Sequence, residues 1–295
     1  MVDMHMHTIY SDGDKTLKQV LELCEKKKLD YISITDHNTC RAYEDEILKN
    51  NKIFTGKIIV GVELNANFNN REIEILGYNI KDTKIIEQWS QNFFSEDILR
   101  KKQENSRRKL LKICDEKCLI YDENEIKKDI PLTDYPSIYI YKELMKHKEN
   151  YEILGEYTQS ISYFIRKGLA NPESDFFIDN SGDIKPMYKD VIDVIHKAGG
   201  LAFLAHPFVY RFDDTIGFIN ELTKKAQLDG IECFHPSSEG DNKSEMLVKY
   251  ARRNNLYISG GSDFHGDKKP NNYIAIGNGT LNIPNEMVEE WIYKE

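Results

Sequence analysis

Histidines and carboxylates recur where short apolar runs end in this chain of 295 residues. The first run carries His5-Met6-His7, and later runs end in Asp36-His37, Ala205-His206-Pro207 and Asp263-Phe264-His265. Imidazole nitrogens bind zinc, iron, manganese or nickel, and carboxylates add oxygen donors that can bridge a second ion. This mixed nitrogen and oxygen set therefore predicts a multinuclear hydrolytic metal site.

The first segment indicates how neighbouring side chains share one ion. Side chains alternate along an extended strand, so Asp3, His5 and His7 are expected on the same face. Two imidazoles two residues apart can then bind one metal ion. Taken alone, this spacing also fits a chance pair of surface histidines, and the prediction depends on the motifs further along the chain.

Strand and helix patterns alternate along the chain, and most of the polar residues of interest follow the strands. Apolar runs predict strands over residues 31–35, 57–62, 72–80, 201–205, 230–234 and 257–261. The residues delivered by these strands are Asp36, His37, Glu63, His206, His235, Asp263 and His265, while Glu74 lies inside a strand. Polar groups gathered at the carboxyl ends of successive strands, with helices between them, are typical of a closed parallel barrel. We therefore predict an α/β fold with a TIM-like barrel.

Residues 85–185 interrupt this rhythm. The stretch is highly charged and mostly helical in pattern, and a tyrosine-rich section follows. We predict that it is an inserted, mostly helical cap domain, and that residues 1–84 and 186–295 form the metal-binding barrel. Its basic runs at residues 100–102 and 107–109 indicate a solvated helix face more than a phosphate site, so no catalytic role is assigned to them.

Composition limits the classes of function. A formal net charge of −9 argues against broad electrostatic binding of duplex nucleic acid, although bound divalent ions would offset much of it. The five cysteines are scattered without a CxxC pair, which predicts reduced intracellular thiols. The sequence shows no signal peptide and no apolar span of roughly 18 residues. We expect a cytoplasmic protein with no membrane contact.

Six motifs, in this order, resemble those of the PHP (polymerase and histidinol phosphatase) family. They are His5-x-His7, Ser11-Asp12-Gly13, the segment 35–39, Gly61-Val62-Glu63, Ala205-His206-Pro207 and the segment 261–266, and together they span nearly the whole chain. Within the family, the chain resembles the stand-alone phosphoesterases that act on nucleoside 3′,5′-bisphosphates and short RNA 5′ ends. The resemblance implies a distorted (β/α)7 barrel and two or three divalent ions, namely manganese, iron or zinc.

The resemblance also implies a ligand set, carried over residue by residue. One ion would be held by His5, His7, Glu63 and Asp263, a second by Asp12, His37 and His265, and a neighbouring ion by Glu63 and His206. Glu74 stands where many relatives have a histidine. A carboxylate can still bind a metal ion, but it favours harder ions such as manganese. Two interpretations of Glu74 remain: a ligand of a third ion that is bound more weakly, or a solvent-facing strand residue.

The implied reaction is hydrolysis of a phosphomonoester by a hydroxide bridged between ions about 3.5–4 Å apart. Three further residues are candidates for catalysis. Asp36 would orient a ligating imidazole, Arg211 would clamp a substrate phosphate, and His235 would bind substrate or protonate the leaving oxygen. Their structural alternatives are a turn cap for Asp36, a surface loop position for Arg211 and packing beside Pro236 for His235.

Other functions remain compatible with these residues. Histidinol-phosphate phosphatase is the runner-up among phosphoesterases. An amidohydrolase-like C–N hydrolase would usually carry a bridging lysine at a strand end, and the sequence offers none. A metal-stabilised binding module without turnover is the alternative of another class. As partners we expect a small phosphorylated substrate such as a nucleotide, or short single-stranded RNA or DNA ends, and no obligate protein partner.

Overall fold

The computed structural model describes residues 1–132, 134–179 and 185–294. In these ranges one sheet holds seven strands in chain order: β1 (Val2–Asp3), β2 (Tyr31–Ile34), β3 (Lys57–Phe68), β4 (Arg71–Tyr78), β5 (Leu201–Leu204), β6 (Gly230–Phe234) and β7 (Tyr257–Gly260). The last and first strands also approach each other, because Met4 N donates to Gly260 O at 3.1 Å and Met6 forms a parallel bridge with Phe264. The predicted seven-stranded, TIM-like α/β barrel is confirmed as a nearly closed sheet.

Strand β4 departs from the parallel arrangement that we expected for the barrel. It pairs antiparallel with both β3 and β5. Asn69 and Asn70 form the two-residue turn between β3 and β4, with φ values of 51° and 63°. Turns with positive φ at both positions match the twist of a hairpin, and asparagine tolerates that conformation. The expectation of parallel strands is therefore corrected at β4, because side-chain alternation carries no information on strand direction.

The helices surround and connect these strands. They are α1 (Leu17–Lys26), α2 (Glu46–Lys49), α3 (Thr83–Phe94), α4 (Glu96–Glu116), α5 (Pro136–Leu144), α6 (Tyr151–Leu154), α7 (Ile161–Tyr163), α8 (Tyr188–Lys197), α9 (Thr215–Lys225), α10 (Lys243–Arg253) and α11 (Asn285–Glu289). Helix α1 begins with a capping box, in which Thr16 and Gln19 satisfy each other's backbone N–H groups. Among the described residues, no helix combines the length and apolarity needed to cross a bilayer.

The chain divides into two compact units. One comprises Met1–Asn92 and Lys185–Glu295, and the other comprises Phe93–Ile184. The second unit, called here the inserted unit, contains α4 to α7 and a π-helical segment, Phe164–Leu169. It has its own apolar core, in which Phe164 contacts Tyr141 and Phe176. The cap role assigned to residues 85–185 stays a prediction.

An apolar cluster lies at the end of the barrel opposite the predicted ligands. Its members include Val2 from β1 and Ile59 from β3, and Leu201 at the start of β5 packs against it. Trp291 is fully buried there, stacks on Tyr78 and donates from Nε1 to Ile258 O at 2.9 Å. Burial of these large side chains supplies a rigid base. The predicted ligands follow β1, β5 and β7, whereas Glu63, expected at the end of a strand, lies in the middle of β3 because that strand continues to Phe68.

Candidate metal centre

The nine residues predicted as metal ligands lie in one cluster. Their donor atoms form four groups, each with all its atoms within 4.8 Å: His7, Asp12, His37 and His265; His5, His7 and Asp263; His5, Glu63 and His206; and His37, Glu63 and Glu74. The groups overlap, because His5, His7, His37 and Glu63 each belong to two of them. The structure thus brings all nine side chains together, while their roles as ligands stay a prediction.

Alternation after β1 separates the two histidines predicted as ligands from the residue between them. His5 and His7 face the cluster, whereas Met6 between them packs against Cys24 of α1, with 3.7 Å between the sulfur atoms. Asp3, expected on the same face, has another task. Its carboxylate accepts hydrogen bonds from Ser262 N at 3.0 Å and Ala275 N at 2.7 Å, so it fixes the loop that presents Asp263.

Glu63 occupies the centre of the cluster. Its Oε2 lies 3.1 Å from His5 Nε2, 3.2 Å from His7 Nε2 and 3.3 Å from His37 Nδ1. Its Oε1 lies 3.0 Å from His206 Nε2. Burial on its own raises the pKa of Glu63, but the charges of His5 and His37 outweigh burial and hold that pKa well below its usual range. An ionised carboxylate in this position has both oxygens directed at different imidazoles, as a bridging ligand requires.

The histidines differ in proton affinity. Burial by itself lowers the pKa of both His7 and His206, yet hydrogen bonds to Asp263 and Glu63 for His7, and to Glu63 for His206, outweigh it and raise both pKa values to about 9. At His37 burial dominates and lowers the pKa to about 4. Without a cation the cluster therefore balances its carboxylates with protons held on particular imidazoles.

The donor set fits divalent ions. Within the described ranges, five buried atoms of the cluster have no hydrogen-bond partner: His7 Nδ1, His37 Nδ1, His206 Nδ1, His265 Nε2 and Glu63 Oε2. A buried polar atom without a partner costs about 1–3 kcal/mol. In addition, His5 Nε2 and His7 Nε2 lie only 3.1 Å apart and face the same Glu63 oxygen. Converging nitrogen and oxygen donors of this kind match the ligands that zinc, iron and manganese take.

Glu74 enters the cluster from the middle of β4, opposite Asn65 on β3. Its Oε1 lies 3.7 Å from His37 Nδ1 and its Oε2 lies 3.3 Å from His206 Nε2. Burial and the charge of Glu63 raise the pKa of Glu74 to about 7. The side chain is thus directed at the cluster instead of at bulk solvent.

Comparison with known proteins identifies the family. Residues 3–203 match the family model described as the PHP domain. The chain belongs to the PHP family. That match covers more than half of the chain.

Six of the nine cluster residues lie inside the matched range, and His206, Asp263 and His265 follow it.

Curated relatives of this PHP protein cover nearly its full length. The 5′-3′ exoribonuclease Rnm of Escherichia coli (strain K12) is 26% identical over 291 residues, which span 93% of this chain and 87% of that protein. The phosphoribosyl 1,2-cyclic phosphate 1,2-diphosphodiesterase of Eggerthella lenta is 25% identical over 271 residues, which span 90% of this chain and 94% of that protein.

Solved structures show the same fold. One from Bifidobacterium adolescentis, assigned to the metal-dependent phosphoesterases, superposes with a TM-score of 0.64 at 22% identity and covers 98% of this chain and 94% of that one. An amidohydrolase from Chromobacterium violaceum superposes with a TM-score of 0.67 at 20% identity, covering 97% and 92% of the two chains. At the level of family and enzyme class the sequence-based prediction is confirmed: the chain is a PHP-domain metal-dependent phosphoesterase.

Asp36 makes its hydrogen bonds with Thr8 and Ser11, and none with an imidazole among the described residues. Its carboxylate accepts hydrogen bonds from Thr8 N at 2.8 Å, Thr8 Oγ1 at 2.7 Å and Ser11 Oγ at 2.6 Å. Asp36 thereby holds the loop that carries Asp12. These contacts resemble the turn-capping alternative, since a carboxylate at a strand end can satisfy backbone and hydroxyl donors of a neighbouring turn. A role of Asp36 in orienting a ligating imidazole stays a prediction.

Arg211 and His235 differ in their relation to the cluster. Arg211 is exposed on the loop after β5, has a φ of 53° and makes no hydrogen bond or ion pair within the described residues. The structure does not bring it into contact with the ligands, and its phosphate-clamp role stays a prediction.

His235 is buried beside the cluster, with its Nε2 3.4 Å from Asp263 Oδ2 and its ring centroid 5.0 Å from that of His206.

Two charged residues at the centre were missed by sequence reasoning. Lys269 Nζ lies 2.6 Å from Asp263 Oδ2, and nothing in its sequence context distinguishes it from a surface lysine. Glu232 is fully buried in β6 and lies 2.9 Å from His5 Nδ1. A carboxylate between Ile231 and Cys233 in an apolar strand is a signal that was available, since glutamate is almost never buried without a partner.

Proposed function

We propose that this PHP protein hydrolyses phosphomonoesters of nucleotides, with nucleoside 3′,5′-bisphosphates and short RNA or DNA ends as its substrate class. The observation that carries the proposal is the position of Glu63, whose two carboxylate oxygens lie within 3.3 Å of four imidazoles. Such a carboxylate is suited to bridge adjacent ions in a phosphoesterase centre. The relative named as a 5′-3′ exoribonuclease supports nucleic-acid ends as substrates.

We assign the ions to overlapping ligand groups. His5, His7, Glu63 and Asp263 would hold one ion, Asp12, His37 and His265 a second, and Glu63, His206 and Glu74 a third. His7 also groups with Asp12, His37 and His265, so it is positioned between the first two sets. Bound in such a centre, divalent manganese, iron or zinc lowers the pKa of water and neutralises phosphoryl oxygens.

His235 is suited to donate a proton from Nε2. Its Nδ1 accepts the backbone N–H of Ser237 at 3.0 Å, so Nδ1 carries no proton and the neutral ring is protonated at Nε2. That atom is buried, has no hydrogen-bond partner within the described ranges and lies on the Asp263 side of the cluster. We therefore assign His235 a donor role towards a substrate oxygen instead of a ligand role.

Lys269 adds positive charge at the same place. Its ammonium group contacts Asp263, and the side chain is 43% exposed, so it remains accessible to an anion from solvent. A cation at the rim of a site attracts a phosphate group and raises its rate of association. Lys269 thus supplies an attraction that the sequence analysis assigned to Arg211.

The test is a panel of phosphate esters incubated with the protein and Mn²⁺. The panel contains adenosine 3′,5′-bisphosphate, adenosine 5′-monophosphate, 5′-phosphorylated short RNA, histidinol phosphate and phosphoribosyl 1,2-cyclic phosphate. Inorganic phosphate and released nucleotides are both measured. Turnover of the bisphosphate or the RNA supports the proposal. Preference for histidinol phosphate or the cyclic phosphate would replace the substrate class, and no turnover with Mn²⁺, Fe²⁺ or Zn²⁺ would favour a metal-stabilised binding module.

A further inference from the structure

Glu232 is a charged side chain with no solvent contact, in the middle of β6. Its Oε1 lies 2.9 Å from His5 Nδ1, and its Oε2 accepts the backbone N–H of His206 at 2.8 Å. Both contacts join Glu232 to residues of the metal centre, while Glu232 itself belongs to none of the four donor groups. A buried carboxylate with two such partners acts on the centre through its neighbours.

The contact with His5 determines which ring nitrogen is available. Glu232 Oε2 already accepts the backbone N–H of His206, and its Oε1 lies within hydrogen-bond distance of His5 Nδ1. A carboxylate oxygen accepts a hydrogen bond, so this contact places the proton on His5 Nδ1. The lone pair of the neutral ring is then on Nε2, the atom that faces Glu63 and His7.

The contact with His206 fixes a second ligand. His206 has an unusual φ of 22°, and its Nε2 lies 3.0 Å from Glu63. A non-glycine residue with positive φ persists only when its surroundings hold it there. The Glu232 hydrogen bond to His206 N is one such restraint. One carboxylate thus links the ligand that follows β1 to the ligand that follows β5, across the interior of the barrel.

We propose that Glu232 is a positioning residue that selects Nε2 of His5 as the ligating atom and sets the affinity of the ions that His5 and His206 hold. Residues that orient a ligating histidine usually change metal affinity by about 10–100-fold when removed. Glu232 has no contact with Asp12, His37 or His265, so the ion assigned to those three side chains keeps its affinity. The inference rests on the proposed metal centre and not on any particular substrate.

The chain contains a matched control for this contact. Asp229 Oδ2 lies 2.7 Å from His196 Nε2 and accepts the backbone N–H of Ala202 at 2.8 Å. Asp229 therefore repeats the same pair of interactions, a histidine ring and a backbone N–H, just before the start of β6. Neither Asp229 nor His196 belongs to a donor group of the metal centre.

The experiment compares Glu232→Gln and Asp229→Asn with the unaltered protein. Metal-free samples are titrated with Mn²⁺ in a calorimeter, and metal content is measured after dialysis. In Glu232→Gln we expect the affinity for at least one Mn²⁺ ion to fall by 10-fold or more, while the affinity for another stays near normal. In Asp229→Asn we expect all Mn²⁺ affinities to be unchanged. Equal affinity of all ions in Glu232→Gln, or equal loss of all of them, would overturn the inference.

A second measurement remains informative if Glu232→Gln does not fold. In the unaltered protein loaded with Zn²⁺, ¹⁵N chemical shifts of labelled histidines report which ring nitrogen carries the proton. We expect His5 to be protonated at Nδ1, and protonation at Nε2 would overturn the inference. Because metal and not substrate is the probe, absence of turnover on the panel of phosphate esters would contradict the proposed function alone.

Discussion

Glu63 and Glu74 direct their carboxylates at the same two imidazoles. The nearest oxygens of Glu63 lie 3.3 Å from His37 Nδ1 and 3.0 Å from His206 Nε2, and those of Glu74 lie 3.7 Å and 3.3 Å from the same atoms. Two neighbouring carboxylates disfavour each other's ionised form, which contributes to the raised pKa of Glu74. A bound cation would offset the repulsion between the two ionised carboxylates. The stability of the metal-free protein should therefore depend on pH through Glu74, and metal binding should change that dependence.

The raised pKa of Glu74 predicts a loss of stability with rising pH in the metal-free protein. The folded-state pKa of about 7 exceeds the ordinary value of 4.5, so the folded state holds an extra proton between these values and stability falls as pH rises through them. Glu74→Gln removes this fall. We expect the variant to gain on the order of 1–3 kcal/mol relative to the unaltered protein between pH 5 and pH 8, measured by urea unfolding.

Glu72→Gln is the control for that measurement, because Glu72 lies on the same strand and is exposed. It should leave the pH dependence unchanged. If Glu74→Gln and Glu72→Gln show the same pH dependence of unfolding free energy, the pKa of Glu74 is not raised in the folded protein. With Mn²⁺ present, the unaltered protein should be more stable to urea than Glu74→Gln, because the Glu74 carboxylate can bind the ion and the amide of the variant binds it less well.

Metal binding at pH 7 should release protons. His7 and His206 have pKa values raised to about 9, so these two rings are protonated in the metal-free protein at pH 7. Ligating imidazoles must be neutral, and release of roughly two protons is expected. Calorimetry with Mn²⁺ in buffers of different ionisation enthalpy measures this number.

Two variants identify the source of these protons. His206→Gln should lower the number by about one, and His196→Gln, which alters a histidine outside the donor groups, should leave it unchanged. A binding enthalpy that is the same in every buffer would show that the histidines are already neutral.

Loss of a ligand carboxylate should abolish turnover without unfolding the protein. Asp263 Oδ1 lies 3.4 Å from His7 Nε2 and 3.7 Å from His5 Nε2, so Asp263→Asn weakens the ion held there. Removing a residue that only orients a ligand typically costs about 10–100-fold. We expect Asp263→Asn to lower activity by more than that, and His7→Ala to have the same effect. Rates on the preferred ester and metal content are measured together.

The same loop supplies the control. Asp267 is exposed and pairs with Lys15, so Asp267→Asn should retain normal activity and metal content. Normal activity and metal content in Asp263→Asn would remove Asp263 from the ligand set.

Gly261 should be required for the position of His5. A Cβ atom at Gly261 would lie 2.3 Å from His5 Cβ and 2.4 Å from His5 N, both of which belong to a rigid strand end. Gly261→Ala is therefore expected to destabilise the protein by about 1–3 kcal/mol and to weaken Mn²⁺ binding. At Gly77 the added atom would meet only side chains, at 3.1 Å or more, so Gly77→Ala should affect stability but not metal affinity. Equal metal binding by both variants would contradict this role.

The predictable part of the site consists of residues with a local signature. His5, His7, Asp263 and His265 stand in short motifs beside predicted strands, and the structure places them in one cluster. Glu232 could not be assigned by such a motif, because its partners His5 and His206 are distant in sequence and only the closed barrel brings them together. Long-range contacts of this kind depend on the register of several strands at once.

The direction of β4 was the main error in the fold. The alternating pattern of residues 72–80 is the same for a parallel and an antiparallel strand, so it could not decide the direction. The two asparagines at positions 69 and 70 were the available signal, because a two-residue turn between alternating runs favours a hairpin. The function of Arg211 also depended on loop geometry, which sequence spacing does not determine.

The Asn69–Asn70 turn has a consequence for tolerance to insertion and deletion. It fixes which residues of β4 lie opposite β3, and Glu74 faces the metal centre only in that register. Removing or adding one residue in this turn would reverse the faces of β4, since side chains alternate with a period of two. Ile75 would then enter the charged centre and Glu74 would be placed in the apolar layer behind the sheet. The length of this turn thus determines whether the barrel presents Glu74, the ninth predicted ligand, to the cluster.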